Sequence, residues 1–250
     1  MVHLKTREEI EIMKTGGAIL VKSVNELLPK IKPGMSTKEV DALAEQLIKA
    51  NGGEISFKTV PGFNWTTCLP VNEQVVHTQP SDRILQEGDV LTVDIGVLYK
   101  GFHTDYATTI VVGKSKDAAV TRFLDAGSAA LENAISVAGS ASYIGEISRS
   151  IENDIYGSGY FILHELTGHG IGKELHEAPY VPGILDRPVE KTYKIEDGLV
   201  IAIEVIYSIG TERIAHEKDD KWSIVTADGS LSACFEKTVA FFDKKMFILT

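Results

Sequence analysis

Four acidic residues fall where a charge is costly to hold. Asp94 closes the apolar run Leu91-Thr92-Val93-Asp94, and Glu204 closes Val200-Ile201-Ala202-Ile203-Glu204. An ionised carboxylate withdrawn from water needs a partner or a metal. Asp105 opens a second β-rich stretch ahead of Thr108 to Val112, and Glu236 opens another ahead of Thr238 to Phe242. A matched set of four asks for more than one positive charge. His169 stands between glycines in Gly168-His169-Gly170-Ile171-Gly172, where little bulk obstructs a ligand, and His176 follows in Leu175-His176-Glu177-Ala178-Pro179. Imidazole with carboxylate oxygens suits divalent manganese, iron, cobalt or zinc. Two such ions in one acid cluster would hold a bridging water and lower its pKa, which is hydrolytic chemistry.

The elements that must carry these residues are written twice. Gly34 precedes Val40, Leu43, Leu47 and Ile48 at helical spacing, with a stop at Asn51-Gly52-Gly53; Gly139 precedes Ile144, Ile147, Ile151 and Ile155, with a stop at Gly157. Glu87 to Asp94 lies without a gap on Asp197 to Glu204, in each case a glycine turn leading into a buried strand that finishes on a carboxylate. Asp94 and Glu204 thereby become equivalent, and each half offers two acids on neighbouring strands. The pattern predicts one domain, residues 1–250, made of pseudo-symmetric halves of about 1–115 and 116–250. Its class is α+β, with a mainly antiparallel sheet flanked by helices. Gly113 to Asp117 and Ile209 to Lys221 read as polar turns.

Composition narrows the function classes. With 250 residues, 44% hydrophobic and 24% charged, the chain can bury a substantial core. No apolar run approaches the ~18 residues that a membrane span needs, and the polar start from Met1 to Glu9 does not resemble a signal peptide. A cytoplasmic location without membrane contact is expected. Cys68 and Cys234, the two cysteines, make neither a disulfide framework nor a thiolate zinc motif. A net charge of −10 argues against a broad nucleic-acid surface and lends no support to docking on ribosomal RNA. No Gly-x-Ser-x-Gly elbow, phosphate loop or His-Glu-x-x-His pair occurs. Cys68 has no neighbouring base and reads as a small buried thiol lining a pocket.

Val93-Asp94-Ile95-Gly96, the tract Gly101-Phe102-His103-Thr104-Asp105-Tyr106-Ala107-Thr108-Thr109, the block from Gly168 to Pro179, and Ser232-Ala233-Cys234-Phe235-Glu236 resemble the type I methionine aminopeptidases of the short, bacterial type, over nearly the whole chain. The resemblance implies the pita-bread fold and two divalent metal ions held by Asp94, Asp105, His169, Glu204 and Glu236, with Asp105 and Glu236 bridging. It also implies that a metal-bound hydroxide removes the initiator methionine from nascent chains. Glu204 would shuttle a proton to the leaving amine, and His77 and His176 would contact the scissile amide region as an oxyanion hole. Phe63, Cys68, Leu175 and Trp222 would line the methionine pocket. A monomer is expected, and transient ribosome association stays open. Three places depart from the family pattern: Thr59-Val60 replaces a glycine-tyrosine pair, Val205 replaces a proline after Glu204, and Lys237 replaces a histidine after Glu236. The alternatives are a proline-specific aminopeptidase of the same fold and a non-catalytic pita-bread binding protein. The first usually carries a large extra N-terminal domain, and the second loses its ligands.

Overall fold

A computed structural model describes residues 2–114, 117–218 and 220–250. Four helices start where local chemistry caps them. Helix α1 (Arg7–Leu27) opens with a reciprocal cap between Thr6 and Glu9, and α2 (Thr37–Ala50) with one between Ser36 and Glu39. Asp117 accepts from Ala119 N at the start of α3 (Ala118–Ala138), and α4 is Ile144–Gly157. The stripes read in sequence are the buried faces: Val40, Leu47 and Ile48 on α2, and Ile144, Ile147, Ile151 and Ile155 on α4.

Thirteen strands complete the described fold: β1 (Glu54–Ile55), β2 (Thr67–Cys68), β3 (Gln74–Val76), β4 (Val90–Tyr99), β5 (Phe102–Val111), β6 (Phe161–Ile162), β7 (Thr167–Gly170), β8 (Glu177–Pro182), β9 (Val200–Ser208), β10 (Ile214–His216), β11 (Ile224–Thr226), β12 (Ser232–Phe242) and β13 (Lys245–Ile248). Ten form one sheet in the order β1-β4-β5-β12-β9-β7-β8, with β2 on β4, β6 on β9 and β13 on β12; β10-β11-β3 form a smaller one. Every strand pairing is antiparallel. The two halves meet where β5 pairs with β12 over Ala107↔Glu236 and Tyr106↔Lys237. The α+β reading and the antiparallel sheet are borne out.

Side chains alternate across a strand, and here the alternation separates packing from chemistry. One face of β4 gives Leu91, Val93, Ile95 and Val97 to a core shared with α1 and α2 residues such as Leu20 and Val40. The matching face of β9 and β12 gives Ile201, Ile203, Val205, Tyr207, Phe235 and Val239 to a core with α3 and α4. The opposite face carries the polar groups, beside smaller apolar clusters that include Val200, Ala240 and Ile206.

The sequence reading errs on two details. Asp94 and Glu204 do not finish their strands, which continue to Tyr99 and Ser208, and Asp105 and Glu236 lie inside β5 and β12 rather than opening them. A polar residue in a strand buried on both faces resembles a strand end, because the apolar run stops there. The stretch from Ile209 to Lys221, read as a turn, contains β10; Asp219 within it, and Ser115 and Lys116 in the other expected turn, lie outside the described residues.

Candidate metal centre

Register alone brings the acids together. Directly opposed residues of an antiparallel pair share a face, as do residues two apart on one strand. Asp94 pairs with Ala107, two residues after Asp105. Ala107 pairs with Glu236, which also pairs with Glu204. His169 pairs with Ala202, two residues before Glu204. The four carboxylates and His169 therefore share the face opposite the helices. Asp105, His169 and Glu236 each present a ligand atom within 4.8 Å of the others', and His169 Nε2 lies 3.4 Å from Glu204 Oε1.

The strands are held by buried side chains where backbone pairing runs out. Beyond the two β5–β12 pairs, Thr238 Oγ1 accepts from Asp105 N at 3.0 Å and donates to Asp105 O at 2.9 Å. Thr250 Oγ1 donates to the same carbonyl at 3.0 Å. His169 Nδ1 lies 2.8 Å from Gly170 O. A carbonyl only accepts, so Nδ1 carries the proton and Nε2 is left with a free lone pair.

The electrostatics describe a site short of positive charge. Burial pushes Asp94 up to about 7, a hydrogen bond from Cys68 partly opposing it. Asp105, Glu204 and Glu236 stand well above the carboxylate range, through burial first and neighbouring carboxylates second. His169 is pushed down to about 3 by burial, with His176 adding to the effect, so no imidazolium balances the acids. Glu236 Oε1 is buried with no hydrogen-bond partner among the described residues. Such an orphan is costly, and a divalent cation would satisfy it. The donor set fits the metals that the sequence implied.

All five of these residues line a cavity of about 390 Å³ together with His77, His176, Phe63, Cys68, Leu175 and Trp222. His77 follows β3 at φ +58°, a conformation uncommon for a side-chain-bearing residue and often found at functional sites. The rings of His169 and His176 pack edge to face with centroids 4.4 Å apart. Phe63 stands between Phe57 (6.3 Å) and Trp222 (5.2 Å), edge to face with both, forming an apolar wall. The Cys68 thiol is driven up by burial and then by Asp94, so it stays protonated and is no nucleophile.

The departures separate cleanly. Val60 lines the cavity, while Thr59 Oγ1 donates to Ser56 O at 2.7 Å. Val205 points into the helix-side core. Lys237, which sequence reasoning took as able to perturb the site, reaches Glu132 Oε1 on α3 at 3.0 Å, on the other side of the sheet. Sequence reasoning assigned no role to His103, whose buried Nδ1 lies 2.7 Å from Ser56 Oγ, to Lys5 on Glu177, or to Tyr180 at the cavity rim. His103 was legible by parity, standing two residues before Asp105; Lys5 and Tyr180 carried no sequence signal.

Comparison with known proteins agrees with this geometry. Residues 11–240 match metallopeptidase family M24. A methionine aminopeptidase of Clostridium perfringens is 37% identical over 250 residues, covering 100% of this chain and 99% of its own. The crystal structure of a methionine aminopeptidase from Thermotoga maritima superposes with a TM-score of 0.94 at 32% identity, covering 100% of this chain and 99% of that one. The prolidase from Pyrococcus furiosus shares the fold, with a TM-score of 0.75 at 24% identity, but this chain covers only 65% of it. With the acid cluster, the orphaned Glu236 oxygen and the full-length matches together, the chain belongs to metallopeptidase family M24, among its methionine aminopeptidases.

Proposed function

We propose that this protein removes the N-terminal methionine from nascent polypeptides and peptides, with two divalent ions held by Asp94, Asp105, His169, Glu204 and Glu236. The observation that carries the reading is the convergence of four buried carboxylates and one unprotonated imidazole nitrogen on a single sheet face. Manganese, iron, cobalt and zinc all suit these donors. When bound, such ions supply Lewis-acid polarisation and a water of lowered pKa.

The chain's own residues do the rest. Asp105 and Glu236, at the junction of the halves, would hold the ions together with Asp94, His169 and Glu204. Glu204 carries a proton to the leaving amine, a task suited to a carboxylate whose pKa is raised by burial. His77 and His176, both lowered by burial, are neutral at pH 7 and donate hydrogen bonds to charge developing on the scissile carbonyl. Phe63, Cys68, Leu175 and Trp222 exclude water from the first side chain and suit a thioether. Residues 1–250 act as one catalytic domain, a reading supported by a sheet that draws strands from both halves. No helix among the described residues is long and apolar enough to cross a membrane. The proposal takes the protein as a cytoplasmic monomer that meets nascent chains, with any ribosome contact transient.

The test is substrate choice. Metal-loaded protein is given Met-Ala-Ser, Met-Leu-Ser and Ala-Pro-Ser, and free amino acids are quantified. Methionine released from the first peptide, with no alanine from the third, supports the proposal. Alanine from the third alone would transfer the chain to the proline-specific reading.

A further inference from the structure

Lysine is seldom buried, yet Lys5 is 3% exposed. Its Nζ lies 2.6 Å from Glu177 Oε2, and Glu177 directly follows His176. Burial pulls the ammonium's pKa down and Glu177 pulls it back, so the buried ammonium depends on its partner.

The loop between β7 and β8 carries His176. Two of its hydrogen bonds are internal, Gly172 N to Glu174 O and Glu174 N to Glu177 Oε1, both 3.1 Å. Two reach the main sheet, His103 N to Gly172 O at 2.7 Å and Ile171 N to Val200 O at 3.2 Å. Lys5 supplies a tie from another part of the chain. Its own place is fixed on both sides, by Lys5 N donating to Gly198 O at 2.7 Å and by the Thr6–Glu9 cap that starts α1. Glycine is required at Gly198, where φ is +93° and a Cβ would sit 2.6 Å from Lys5 O, and a Cβ on Gly172 would displace the tip of the Lys5 side chain. The N-terminal segment therefore clasps the loop one residue beyond a ring packed against His169.

We propose that Lys5 is a positioning residue: by clamping Glu177 it sets His176 over the metal cluster, so that the segment ahead of the first helix controls turnover. This rests on His176 acting at the scissile amide, as proposed above.

Misplacing a group by about 1 Å can cost about 100-fold in rate. Metal-loaded wild type, K5M, K5M/E177Q, H176A and H176A/K5M are compared on Met-Ala-Ser, with folding checked by circular dichroism and bound metal by atomic absorption. K5M/E177Q removes both charges, so that no buried carboxylate is stranded if K5M alone unfolds. The expected result is a kcat loss of about tenfold or more in K5M and K5M/E177Q, KM within about twofold and metal content unchanged, on the scale that a misplaced group produces. H176A/K5M should turn over no more slowly than H176A, because coupled residues are not additive. Wild-type kcat in K5M/E177Q beside an impaired H176A would overturn the clamp while leaving the His176 reading intact. A further loss when K5M is added to H176A, or loss of metal in K5M/E177Q, would also overturn it. Wild-type turnover in H176A would remove the His176 reading and the clamp with it.

Discussion

Glu204 and Glu236 stand directly opposite each other on β9 and β12, two carboxylates on one buried face. Like charges so placed destabilise a sheet unless something positive lies between them. In chelator-treated protein, Glu204→Gln should therefore raise stability by about 1 kcal/mol, a Tm increase of about 2–4 °C for a chain of this size, while abolishing peptide hydrolysis. Scanning calorimetry in excess chelator, paired with a turnover assay, reads both. A variant less stable than wild type without metal would show that the pair is not in conflict.

The same conflict sets a pH dependence. Asp94, raised to about 7, and the other three carboxylates, raised well above the carboxylate range, bind protons in the folded state that the unfolded chain has already lost. Stability then falls as pH rises through the folded pKa values. The lowered histidines, His169, His77, His176 and His103, act in the opposite sense, but only below about pH 6.5, where the unfolded chain takes up their protons. Metal-free protein should lose stability as pH rises above about 6.5, and saturating metal should remove the trend. Denaturant midpoints at three pH values with and without metal check it.

Gly168 leaves no room for a side chain. A Cβ there would overlap the Ala202 carbonyl oxygen and lie 3.3 Å from Glu204 N, and backbone cannot rotate away. Gly168→Ala should separate β7 from β9, costing about 3 kcal/mol or more by overpacking and weakening metal binding through His169. Urea unfolding and calorimetric metal titration would register both losses.

Lys237 offers a contrast. Its ammonium sits on Glu132, across the sheet from the acids, and half-exposed ion pairs contribute about 0–1 kcal/mol. Lys237→Ala should change kcat/KM by less than about twofold, since no contact made only in the transition state is lost. A tenfold drop in steady-state kinetics would mean that its charge reaches the site.

Much of this was legible because period-two alternation and the internal repeat are local signals. They put Asp94 and Glu204 in matching strands with Asp105 and Glu236 on neighbouring ones, the glycines flanking His169 marked it as a ligand candidate, and the resemblance implied that all five hold one pair of ions. What stayed hidden depends on distant pairings. The Thr238 and Thr250 hydroxyls on the Asp105 backbone join residues over 130 positions apart, as does Lys5 with Glu177. The direction of Lys237 follows from parity along β12, yet only the register with β9 shows which parity faces the helices. Strand ends were misplaced at Asp94 and Glu204 because a buried acid breaks an apolar run without breaking the strand.

Metal-dependent turnover tests the central claim most directly. Chelator-stripped protein is titrated with manganese or cobalt, and free methionine released from Met-Ala-Ser is read against metal bound. No release at zero metal, growth in proportion to occupancy, and a flat response from Glu204→Gln and His169→Ala are the predicted results. Release by stripped wild-type protein at the rate of the loaded form would contradict the account.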